Sequence, residues 1–160
     1  FAKKMLHSRD FTTLESPTRI DLVRLNVAAL GLRGSPTTNE VYAKAAEWGL
    51  YLCPSEVALR LRLKDTNQPL GDSYCIGMKQ ISIRHRLYRG AYASRVYDQE
   101  VFRLWRVENG LHLSQYTANP RAYWDTGNEL VFALRPSTSL RTGKSTQTPS
   151  PSLFGRIFKH

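Results

Sequence analysis

The chemistry this chain could perform is concentrated in one stretch, Arg84-His85-Arg86-Leu87-Tyr88-Arg89-Gly90-Ala91-Tyr92-Ala93-Ser94-Arg95, which holds four arginines, two tyrosines and no acid. A guanidinium grips phosphate through paired N–H donors and stacks on a base, and a tyrosine ring offers a second stacking face. That pattern suits a single-stranded nucleic acid, and the expected contacts are Arg84, Arg86, Tyr88, Arg89, Tyr92 and Arg95. The competing reading is a solvated connection whose arginines pair with Asp98, Glu100 or Glu108. A second candidate lies on a predicted hairpin, where Arg103, Trp105, His112 and Tyr116 fall on one face as a base-stacking platform. Against it stands burial of that face under Leu63, the Trp48 helix or the Trp124 loop, which would make Trp105 core.

The remaining chemical signals are weaker. Gly143-Lys144-Ser145-Thr146 ends like a phosphate-binding loop, but the required upstream glycine is Thr138, and a Ser/Thr/Pro-rich stretch replaces the flanking strand and helix. His7, His85, His112 and His160 lack ligand spacing, so no metal site is expected. A small enzyme with an unfamiliar site near Trp124, Asp125 and Glu129 remains an alternative, since a lone carboxylate is a general acid only in principle. Cys53 and Cys75 form no C-x-x-C pair and read as two small core residues in a reducing compartment, with one disulfide in an exported protein as the alternative. At the C-terminus Leu153, Phe154, Ile157 and Phe158 recur at helical spacing opposite Arg156 and Lys159. Such a peptide fits a partner groove or an anionic membrane, or docks on its own domain.

The elements that must position these residues read as an α+β domain. The 160 residues are 41% hydrophobic and 22% charged, in the range of a globular chain large enough for its own core. The longest uncharged apolar run, Val27 to Leu32, is far short of the roughly 18 residues that span a bilayer, so no transmembrane segment is expected. The net charge of +10 is spread unevenly: +2 over residues 1–20, +4 over 21–135 and +4 over 136–160. The chain opens at Phe1 rather than Met, as a fragment or processed product would.

Residues 1–19 form a lead-in or short helix, and Ile20 to Val27 a strand closing in the Ala28-Ala29-Leu30-Gly31 turn. The main helix is expected over about 38–48, with Thr37 and Glu40 as a capping box, Val41, Ala45 and Trp48 as its apolar stripe, and Gly49 as its stop. Leu50 to Cys53 is a short strand or extended link, and a helical turn lies near 55–58. The alternation Leu59-Arg60-Leu61-Arg62-Leu63 predicts a half-buried strand. Tyr74 to Ile81 is a further strand, and 82–99 a long connection. The C-terminal hairpin spans 101–116 around Asn109-Gly110, pairing Val107 with His112, Trp105 with Ser114 and Arg103 with Tyr116. Glu129 to Arg135 is the last strand. Twelve of residues 136–152 are Ser, Thr or Pro, a composition that cannot offset its ordering entropy, so 136–160 reads as a flexible basic tail. The expected fold is one domain over 20–135: a small, mostly antiparallel sheet of about five strands with one main helix.

Several blocks in order carry a resemblance: Asp21-Leu22-Val23-Arg24, Leu50 to Glu56 with Val57, Gln68-Pro69, Ile76-Gly77-Met78-Lys79-Gln80-Ile81, Val101-Phe102 and Gly110-Leu111-His112-Leu113. Over about residues 20–135 they resemble an uncharacterised short domain family common in uncultured, small-genome bacteria. The resemblance implies a recurring cytoplasmic unit and no activity. It also implies a short Asp/Gly-type turn between Ile81 and Val101, where this chain carries its arginine-rich insertion. The combined expectation is a non-enzymatic binding module for nucleic acid, with no cofactor. The alternative is a protein–protein or toxin–antitoxin-like module anchored by Leu153, Phe154, Ile157 and Phe158.

Overall fold

A computed structural model describes the backbone of residues 2–89, 92–134 and 156–158, and the side chains of 2–84 and 98–134. Among the described residues, seven strands form one open mixed sheet: β1 (Leu22–Asn26), β2 (Ser73–Ile76), β3 (Ile81–Arg89), β4 (Tyr92–Val107), β5 (Gly110–Thr117), β6 (Glu129–Ala133) and β7 (Arg156–Phe158). The order is β3-β4-β2-β6-β1-β7, with β5 on the other side of β4. All pairings are antiparallel except β2 with β6. Three helices pack on the sheet: α1 (Ala2–Leu6), α2 (Thr38–Glu47) and α3 (Glu56–Lys64), and a 3-10 turn covers Ala28–Leu30. The α+β class and the mostly antiparallel sheet are as expected from the sequence.

Alternation along the strands divides the core into two layers. Phe102 and Leu104 of β4 lie on the side covered by the lead-in and α3, with the Phe11 ring edge-on to Phe102 at 6.1 Å. Val101 and Phe132 lie on the other side, where Tyr42 of α2 meets Phe132 at 6.3 Å and Trp124 meets Tyr116 at 5.0 Å. Met5 of α1 is fully buried in the same core. The capping box forms as the sequence indicates: the Glu40 amide donates to Thr37 Oγ1, and the Thr37 amide donates to Glu40 Oε2 at 2.7 Å.

The structure corrects several local expectations. Residues 59–63 are helix, not strand. Val57, Ala58 and Leu61 are buried at helical spacing while Leu63 is 79% exposed. A run of Leu, Arg, Lys and Glu favours helix, with Glu56 at its first turn and Arg62 and Lys64 at its last. Trp48 caps α2 and is exposed rather than part of its apolar stripe. The expected strand Tyr74–Ile81 breaks at Gly77, where the chain leaves β4 to bond β6 before β3 begins. The hairpin register is displaced by two residues: the turn is Glu108-Asn109, Gly110 sits at φ +131°, and the pairs are Val107–Gly110, Trp105–His112 and Arg103–Ser114. A two-residue displacement keeps each residue on its face, so the face assignment stands. Arg156–Phe158 is a strand on β1 rather than helix; Leu153, Phe154 and Gly143–Thr146 lie outside the described residues.

Candidate nucleic-acid interface

The segment expected as a long connection is a β-ribbon. β3 and β4 pair from Ile81–Glu100 out to Arg89–Tyr92 in unbroken register. The base, Ile81–Ile83 of β3 and β4 from Glu100 onward, is held in the fold: Ile81 and Ile83 are buried, and β5 reaches β4 at Thr117–Glu100. Beyond it, among the described residues, β3 and β4 pair only with each other. The six positions Arg84–Arg89 extend the ribbon by roughly 20 Å at ~3.3 Å per residue.

Register sorts the arginine-rich positions onto two faces. Arg84 opposite Tyr97, Arg86 opposite Arg95 and Tyr88 opposite Ala93 share one face; His85, Leu87, Arg89, Tyr92, Ser94 and Val96 hold positions on the other. The register thus puts two arginine positions, 86 and 95, directly opposite each other on one face. Arg84 is exposed at the base of this face.

The second candidate is less open than the sequence suggests. Arg103, Trp105, His112 and Tyr116 do share a face, but all four are half-buried rather than standing outward in water. Tyr116 packs on Trp124. Arg103 lies between Trp105 and Tyr116, with its guanidinium carbon 5.6 and 5.9 Å from the two rings, and donates to Ser73 Oγ at 3.0 Å. The His112 ring sits 5.2 Å from Trp105, whose buried ring N–H has no hydrogen-bond partner among the described residues. Alternation along β4 carries Arg95 and Tyr97 to the same side as Arg103 and Trp105. Between them Val101 is fully buried beside Tyr116 and the Trp124 loop, which divides the face in two. The ribbon and the hairpin patch are therefore separate surfaces.

One constellation escaped the sequence reading. The Arg24 side chain is 9% exposed, donates to Asp72 Oδ2 at 2.9 Å, also bonds Asp72 Oδ1 and Glu129, and stacks 4.3 Å over the Tyr74 ring. Tyr74 in turn donates to Asp65 at 2.7 Å, and Gln68 donates to the Asp72 carbonyl at 3.0 Å. The carboxylates lie 48 and 105 residues from Arg24, so no local motif announces the group. It ties β1, β6 and the loop before β2 together. Glu129, considered above as an enzymatic acid, is committed to it. Burial pushes the Cys53 and Cys75 thiols up to about 12, which leaves both as inert core groups. No group of His, Cys, Asp and Glu among the described residues is arranged to hold a metal ion. No described helix is long and apolar enough to cross a membrane. Comparison with protein-family models, curated proteins and solved structures returned no match.

Proposed function

We propose that this chain is a nucleic-acid-binding module whose contact element is the β3–β4 ribbon, with Arg84, Arg86 and Arg95 neutralising phosphates beside Tyr88 at positions on one face, and Arg89 and Tyr92 adding contacts from the opposite face to a strand that wraps the ribbon. The observation that carries the reading is the register of Arg86 against Arg95 on a two-stranded extension whose described partners are only each other's strands. Like charges at opposed ladder positions are unfavourable by themselves, and a phosphate backbone would relieve them, which supports the reading. A ribbon of this width also enters a duplex major groove, so single-stranded and duplex forms are the two ligands to compare. The buried Arg103–Trp105 patch is not needed for this reading. Two buried, unbridged thiols support a reducing, cytoplasmic setting.

The test is fluorescence anisotropy with mixed-sequence 20-nucleotide single strands and duplexes, titrated at several salt concentrations. Engagement of four phosphates by a single strand gives a log–log salt slope of about −3. Replacing any one arginine by glutamine should flatten that slope by about 0.7 without unfolding the chain. An affinity undetectable for both forms at low salt, or a slope indifferent to all four substitutions, would remove the proposal.

A further inference from the structure

The strand that closes the sheet comes from far along the chain. β7 pairs antiparallel with β1, placing Phe158 opposite Leu22, Ile157 opposite Val23 and Arg156 opposite Arg24. β6 and β7 flank β1 on its two sides, so β1 would be the sheet edge without those three residues. The joining segment, residues 135–155, is many times longer than a step across one strand needs. Three ladder pairs are a small attachment, open to competition from a second strand of the same kind.

A groove runs beside this edge. It has a volume of about 530 Å³ between the lead-in segment Leu14–Ile20 and α3, with Leu14, Ile20, Leu22, Val57 and Leu61 among its apolar walls. Leu22 therefore serves twice, lining the groove and pairing with position 158. Cross-strand partners share a face of the sheet, so the register position opposite Leu22 falls on the groove side. A sheet edge that supplies hydrogen bonds, joined to a pocket for one side chain of the added strand, is the arrangement by which extended peptides are recognised.

We infer that the β1 edge and this groove form one docking site for an extended peptide strand carrying an aromatic residue opposite Leu22. The chain's own β7, with Phe158 at that position, is its resident and displaceable occupant. The site is distinct from the ribbon and independent of nucleic-acid binding.

The experiment uses a fluorescein-labelled peptide with the sequence of residues 151–160, titrated into the full chain carrying Phe158→Asp, whose own strand is weakened. Saturable binding is expected, at least tenfold tighter than to the unsubstituted chain, where the tethered strand competes. The same peptide with Phe158→Ala should bind at least tenfold more weakly to the Phe158→Asp chain. No binding up to 1 mM peptide, equal binding by the two chains, or equal affinity of the two peptides would each overturn the inference.

Discussion

Replacement of Gly77 by alanine tests the core packing where β2 leaves β4. A Cβ added at Gly77 would stand 2.5 Å from Phe132 Cδ1, nearer still to Cε1 and 3.1 Å from Cζ, where ordinary contact begins at 3.4 Å. The ring has little room to retreat: Phe132 is fully buried and Tyr42 lies edge-on behind it, anchored by its hydroxyl donating to the Met78 carbonyl at 2.9 Å. The backbone is held as well, since the Gly77 amide donates to Val131 at 2.8 Å and its carbonyl accepts from Cys53 at 2.7 Å. Overpacking of this kind costs about 1–3 kcal/mol, offset by about 0.4–1 kcal/mol of reduced unfolded-state entropy. A clash this close belongs at the upper end of that cost, so the expected net loss is about 2 kcal/mol, a Tm lowered by roughly 4–8 °C in a chain of this size. Gly127→Ala is the control, because nothing lies within 4 Å of its added Cβ, and it should be neutral or slightly stabilising. Calorimetry or denaturant unfolding reads both. In a double-mutant cycle Phe132→Leu should recover at least ~1 kcal/mol of the Gly77→Ala loss. Equal stability of the Gly77→Ala and Gly127→Ala chains would refute the packing argument.

Further outcomes follow from the same contacts. Arg24→Ala removes the shared partner of Asp72 and Glu129 and should cost about 2–4 kcal/mol in urea unfolding, whereas Arg24→Met, which keeps apolar bulk over Tyr74, should cost less. Neither cysteine should react with a thiol reagent at pH 8 in the native chain, and both should react after unfolding; prompt native labelling would contradict their burial. The Glu40 carboxyl is held below its ordinary range by hydrogen bonds from the Thr37 backbone and side chain, and Glu56 by the Leu14 amide and then Arg60. Because both folded-state values are depressed, their contribution is present above the ordinary carboxylate range and disappears as pH falls through the lowered values. Thr37→Ala should destabilise the chain by about 1 kcal/mol at neutral pH and lose part of that difference in acid, measured as Tm against pH.

What the sequence made legible was local. The α2 capping box, the Gly49 stop and the existence of the β4–β5 hairpin each rest on contacts within a few residues, where residue type and spacing specify the element; the hairpin's register, two residues from the expected one, was not specified. Residues 59–63 misled because alternate leucines satisfy a period of two while Val57, Ala58 and Leu61 satisfy a helix, and only tertiary burial decides between them. The β3–β4 ribbon was missed although Ile81, Ile83 and Leu87 alternate with Ser82, Arg84 and Arg86, because His85 interrupts the apolar series and the arginine-rich run reads as a solvated connection. The Arg24 cluster and the β1–β7 edge depend on residues far apart in the chain, for which one sequence carries no periodic signal. Of the candidate site, residue types were legible and placement was not. The hairpin patch illustrates this: its shared face was legible, but sequence could not choose among Leu63, the Trp48 helix and the Trp124 loop as its cover, and of these only Trp124 packs there, on Tyr116.

The most direct test of the ribbon's role is an NMR titration of the isotope-labelled chain with a mixed-sequence single strand and, separately, a duplex. The account predicts fast-responding amide and Arg Nε shifts concentrated at positions 84–97, strongly weakened together in the Arg86→Gln/Arg95→Gln chain while its other resonances stay in place. Shifts centred on another surface, or a spectrum unchanged by both ligands at low salt, would contradict it.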